Sequence, residues 1–151
     1  MVTGGSIDME GSRQQTVDRS VSDLAQILRE DYARFPKDQT YEIYTEDVYF
    51  KDPLNEFRGV KKYQAMIKFL GTFFGNVQMD VHDVTQQEDA IKTEWTLHMT
   101  SPLPWQPRLS IPGWSELGVK DNKIASHVDY WHISRWAVLR QNFFSDKKES
   151  Q

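Results

Sequence analysis

The sequence predicts an α+β domain in which helices come first and an antiparallel sheet follows. Two observations carry this. Up to residue 74 the apolar residues recur mainly at helical spacing, and from residue 77 to residue 133 the period drops to two. A third is the stretch Tyr44 to Gly59, which inserts a strand between the helices and ends it at Asp52-Pro53.

Residues 1–19 hold Gly, Ser, Gln and charge with few apolar anchors, and read as a disordered arm. A first helix follows, with Ser20 or Ser22 as N-cap and Leu24, Ile27, Leu28 and Tyr32 as its buried stripe; Pro36 ends it. A short second helix over residues 39–44 leads into the opening strand. There Val48, Phe50 and Asp52 share one face, opposite Asp47, Tyr49 and Lys51. After Gly59 a third helix spans residues 61–74, with Tyr63, Met66, Ile67, Leu70 and Phe73 at helical spacing and Gly75-Asn76 as its stop.

Four strands complete the chain. Val77, Met79, Val81 and Val84 mark the first, and a turn near residues 86–89 leads to the second. In the second, Ile91, Thr93, Trp95, Leu97 and Met99 oppose Lys92, Glu94, Thr96 and His98. A stiff Pro-rich loop over residues 102–107 precedes a strand from Leu109 to Val119, which Pro112-Gly113 should interrupt with a bulge or edge bend. A turn at residues 120–123 opens the last strand, residues 124–133. There Ala125, His127, Asp129, Trp131 and Ile133 share a face. Residues 135–144 form a helical or extended end, and 145–151 a charged tail; residues 20–144 make one domain.

Composition narrows the function. The 151 residues include five Trp, six Tyr and eight Phe, which suits a curved sheet around a cavity as well as a tight bundle. Cysteine is absent, which excludes disulfides, thiolate metal sites and a cysteine nucleophile. A net charge of -4 argues against non-specific nucleic-acid binding. The chain lacks a membrane-spanning apolar run and a leading basic-then-apolar segment, so a soluble protein is expected. No phosphate loop, nucleophile elbow or dinucleotide fingerprint is present, and no cofactor is expected.

The order of elements and the motif Tyr44 to Gly59 resemble the nuclear transport factor 2-like superfamily, also called cystatin-like or SnoaL-like, over roughly residues 20–135. A narrower likeness rests on Pro102 to Leu109, Gly113 to Leu117 and Ser126 to Trp131. Those segments look like an uncharacterised family of cyanobacteria and plastids. The resemblance implies a cone: a curved antiparallel (mixed) sheet wrapped around about three N-terminal helices. It also implies a cyanobacterial cytoplasm or a plastid as the setting. The position matching Trp131 points into such cones, which would put His127 and Asp129 on the cavity wall.

Several residue types there can carry chemistry. A histidine beside a carboxylate suits a general base, since the negative charge raises the imidazole's proton affinity and holds its tautomer; a structural polar pair is the other reading. Asp52 matches the general base of ketosteroid isomerases, or else accepts from its turn amides. Leu28 falls where the first-helix tyrosine of those enzymes lies, and Ser115 or Glu116 where their protonated aspartate lies, which speaks against steroid isomerisation. The donors available to a catalytic version are Tyr32, Tyr63 and Trp114. Trp95, Leu97 and Met99 should form the inner wall, with Phe50, Phe69, Phe73 and Trp131 beside them. Trp105 and Trp114 can act as a lid or equally cap a hydrophobic edge. His127-x-Asp129 with Asp52 lacks a short metal-ligand spacing, and no metal is expected. His98 and Glu94 face outward, where a homodimer interface is expected.

The favoured function is a small-molecule-binding or assembly module holding an apolar ligand. The alternative is a SnoaL-like cofactor-free enzyme catalysing proton transfer, cyclisation or hydration, with His127 and Asp129, or Asp52, as base.

Overall fold

A computed structural model describes residues 21–144, so the arm (1–19) and the charged tail (145–151) lie outside the described residues. Helix α1 (Val21–Ala33) buries Leu24, Leu28 and Tyr32 against the sheet. Ser20 lies outside the described residues, and Ser22 sits within the helix. Asp31 ties the end of this helix to the segment around Thr40. Its carboxylate accepts from the Thr40 amide at 2.9 Å, the Thr40 hydroxyl at 2.8 Å and Arg34 at 2.8 Å. The expected second helix is only a 3-10 turn, Tyr41–Ile43, because Ile43 is drawn fully into the core as the chain enters β1 (Tyr44–Lys51).

Sequence reading missed strand β2 (Glu56–Arg58), three residues long, which pairs Phe57 with Phe50. Gly59, at φ 118°, then turns the chain into helix α2 (Val60–Phe73). The helix stops at an extended Phe74, not at Gly75-Asn76. Gly75 already opens β3 (Gly75–Gln86), and Asn76, at φ 46°, sits where the pairing with β4 (Ala90–Thr100) slips. A second slip between Val81 and Asp83 explains why the inward apolar series moves from odd positions to Val84.

Strand β5 (Arg108–Lys120) runs unbroken through Pro112-Gly113, correcting the expected interruption. Thr96 pairs with Pro112 and Trp95 with Gly113 in continuous register. Gly113 is required for a different reason: a Cβ there would collide with the Tyr130 carbonyl and lie 2.8 Å from the Trp95 ring. The bulge instead lies between Gly118 and Val119. Asp121 and Asn122, at φ 53° and 63°, close the hairpin into β6 (Lys123–Trp131). Ser134 caps the last helix, α3 (Arg135–Arg140), by accepting from the Ala137 amide at 3.0 Å.

The sheet order is β2-β1-β6-β5-β4-β3, with β1 and β6 parallel and every other pair antiparallel. Helices α1 and α2 pack on one face of this sheet, and α3 packs near β5. The fold is therefore the mixed-sheet α+β class, with the core between sheet and helices.

Candidate functional site

A cavity of about 940 Å³ opens between the sheet and the helices. That is near the upper end of the range for small-molecule sites. Asp52, His127, Asp129 and Trp131 all line it, as do Tyr32, Tyr63, Trp95, Leu97 and Met99. Phe50, Phe73 and Trp114 do not. Phe50 is fully buried behind the wall, stacked on Phe57. Phe73 is exposed on α2 beside Phe69, which does reach the cavity. Trp114 points to the other sheet face, where it packs on Tyr130 and His132. The expected tryptophan lid is absent from the lining too. Trp105 donates to the Asn142 carbonyl at 2.6 Å, and α3 forms the rim instead through Trp136 and Leu139.

The inner end is polar and owes its order to strand register. Thr93, Ser115 and Asp129 stand opposite one another on β4, β5 and β6, forming one row across the sheet. Ser115 donates to Asp129 Oδ1 at 2.5 Å, and the Trp95 indole N–H donates to Ser115 Oγ at 2.8 Å. His127 Nε2 meets the same Oδ1 at 2.8 Å. Because a carboxylate accepts, Nε2 carries the proton of this contact. His127 Nδ1 is buried and has no hydrogen-bond partner among the described residues. The His127 ring is boxed by Tyr44, Phe50 and Tyr63. Asp129 keeps 18% of its side chain accessible, so its carboxylate meets whatever fills the cavity.

Tyr32 completes the row through a 3.1 Å hydrogen bond with Thr93. Burial, and then the charge of Asp129, push its phenol up to about 12, so it is a neutral hydroxyl at physiological pH. Burial also drives Tyr44 and Tyr63, whose rings lie 5.1 Å apart, well above the usual tyrosine range. Asp52 sits nearer the opening. Its Oδ1 accepts from the Leu54 amide at 2.8 Å and the Asn55 amide at 2.6 Å, the turn-capping arrangement. Burial nevertheless raises its pKa, and the negative charge of Asp129 adds to that. No cluster of three or more metal-ligating side chains occurs among the described residues.

Ser115, which the resemblance set at the aspartate position of ketosteroid isomerases, lines the cavity, and Thr93, which sequence reasoning left without a role, is fully buried beside it. Each is a polar residue inside an otherwise apolar inward series, and that break in the pattern was the available signal.

Comparison with known proteins places this geometry. The family described as uncharacterized conserved protein (DUF2358) matches residues 22–127. The chain belongs to this family. No curated protein matches it. Among solved structures, a protein with a ketosteroid isomerase-like fold from Catenulispora acidiphila, in complex with trimethylamine, superposes with a TM-score of 0.64. It is 16% identical, over 76% of this chain and 90% of its own. A protein from Jannaschia, described as a candidate SnoaL-like polyketide cyclase, gives 0.65 at 14% identity, over 77% of this chain and 88% of that one. A nuclear transport factor 2-like protein from Anabaena variabilis gives 0.60 at 17%, over 76% and 88%. These likenesses establish that the DUF2358 chain has a nuclear transport factor 2-like, SnoaL-like fold.

Proposed function

We propose that this DUF2358 protein binds a small amphipathic molecule, its apolar body against Leu97, Met99, Trp95 and Trp131 and its polar end against Ser115, His127 and Asp129. The observation that carries this reading is a large, mostly apolar cavity in whose inner end Ser115, His127 and Asp129 converge. Native mass spectrometry and Nile red titration test it. Wild type should retain a small molecule or bind the dye, and the Leu97→Trp/Met99→Trp double variant, which narrows the apolar wall, should bind the dye several-fold more weakly. Undiminished dye binding by a double variant that circular dichroism shows to be folded would refute the cavity as the site.

A second reading is cofactor-free acid–base chemistry, favoured by the contact of His127 with Asp129 and the raised pKa of Asp52. Against it, Tyr32 already bonds Thr93, and Trp114 faces away. A retained molecule whose mass changes on incubation with wild type, but not with His127→Ala, would favour the enzyme.

The outer sheet face supports a homodimer interface as part of the same proposal. It holds an ordered polar layer in which His98 bridges Asp80 and Ser110, and Glu94 meets His132.

A further inference from the structure

The mouth of the cavity is apolar on its outside as well as its inside. Leu54, Phe69, Trp136, Leu139 and Phe143 both line the cavity and stand exposed to solvent, with Trp136 the most exposed at 72%. Phe73 extends the patch by packing on Phe69 at 4.5 Å, and Trp105 extends it through Phe143 at 5.9 Å. Scattered exposed apolar residues are ordinary, but a contiguous patch of this kind marks an interaction surface.

Charge indicates what covers it. The chain as a whole carries -4, yet the two helices that flank the mouth carry only cations. Lys61, Lys62 and Lys68 stand on α2, and Arg135 and Arg140 on α3, with no Asp or Glu on either. All five are exposed. The one acid lining the cavity near its mouth, Asp52, is held by its turn amides. Aromatic side chains amid arginine and lysine are the composition of surfaces that settle at a bilayer interface, the rings among the acyl chains and the cations at anionic headgroups.

We propose that the cavity mouth docks on an anionic lipid bilayer, with Trp136, Leu139, Phe69 and Phe143 entering the interface and Lys68 and Arg140 meeting the headgroups. The cavity would then open directly onto the acyl region, which makes a membrane amphiphile its ligand. That last step rests on the binding function proposed above; the docking itself does not.

Co-sedimentation of the full chain with vesicles tests the docking. Wild type should bind vesicles of phosphatidylcholine with phosphatidylglycerol and should be released by high salt. It should bind vesicles of phosphatidylcholine alone at least about tenfold more weakly. The charge reversal K68E/R140E should lose the anionic preference by about tenfold or more while still binding Nile red in the cavity. W136A/F143A, altered only at exposed side chains, should lose vesicle binding altogether with circular dichroism and melting temperature unchanged. Equal affinity for the two vesicle types, or no sedimentation at low salt, overturns the proposal. So does a wild-type dimer that W136A/F143A converts to monomer without any vesicle binding, which assigns the patch to a second copy of the chain. Because Nile red reports the cavity and sedimentation the mouth, failure of one claim is visible without failure of the other.

Discussion

Asp129→Ala isolates the polar row, and its cost can be worked from the contacts. A single oxygen of Asp129 accepts from Ser115 at 2.5 Å and from His127 at 2.8 Å. Ser115 is 1% exposed and His127 4%, so the carboxylate is the acceptor that keeps both donors satisfied away from water. His127 would be left with no hydrogen bond at all, since its Nδ1 already lacks one among the described residues. A buried donor without an acceptor costs about 1–3 kcal/mol, so two cost about 2–6 kcal/mol. Ser115 keeps the Trp95 bond, and its proton can rotate toward Tyr32, which favours the lower half of that range. A loss of about 2–4 kcal/mol is therefore expected, a large share of the roughly 5–15 kcal/mol that stabilises a domain. Asp129→Asn keeps an acceptor oxygen in place and loses only the charge assistance, for about 1 kcal/mol. Urea unfolding of wild type, Asp129→Ala, Asp129→Asn, Ser115→Ala and the Ser115→Ala/Asp129→Ala double variant measures these differences. The cycle should return a coupling of about 1 kcal/mol or more. The reasoning fails if Asp129→Ala lies within about 0.5 kcal/mol of wild type, or if Asn costs as much as Ala.

Asp52 gives a pH prediction whose sign is set by burial. Its folded pKa is raised above the ordinary 3.8, so its contribution to stability is complete below 3.8 and lost as the pH climbs through the raised value. Asp52→Asn keeps an acceptor for the turn amides and should lack that slope. Matched urea midpoints across the acid range check this, and the difference curve removes the share of Asp31, whose pKa burial also raises. The outer-face dimer predicts twice the chain mass in light scattering at high concentration, falling to one when Glu94 and His98 are both changed to Arg. A wild-type monomer at every concentration removes it.

The legible part of the fold reflects the range of the forces involved. Period alone separated helices from strands and put His127, Asp129 and Trp131 on one face, since alternation is a property of the strand itself. The row Thr93–Ser115–Asp129 needed the register of three strands, and no local pattern fixes how far one strand slides past the next. Pro112-Gly113 misled for a related reason. A proline followed by a glycine reads as a break, but here glycine is needed because Trp95 lies over it from the neighbouring strand. The Phe73 error was one of helical phase. Tyr63, Ile67, Leu70 and Phe74 reach inward, which leaves Phe69 and Phe73 on the exposed flank. The role of α3 was hidden because its apolar residues cover a mouth, and without the cone those residues read as an ordinary tail.

The separation of polar and apolar groups inside the cone constrains any ligand more than the volume does. A carboxylate with two donors on one oxygen sits among residues almost without solvent contact, while the opposite end is rimmed by exposed aromatic rings. Burying that row has a desolvation cost that a core of Val and Leu in the same positions would avoid. Packing alone therefore does not account for it. A ligand lying with its polar group at the row would hydrogen-bond groups already oriented by the strand register, and so would cost little in ordering them. A ligand inserted the other way would bury a polar group against Met99 and Leu97 and leave Asp129 facing an alkyl chain. Under the proposed binding role the row would set the direction of entry, headgroup first, and the apolar tail would point at the mouth where Trp136 and Leu139 stand.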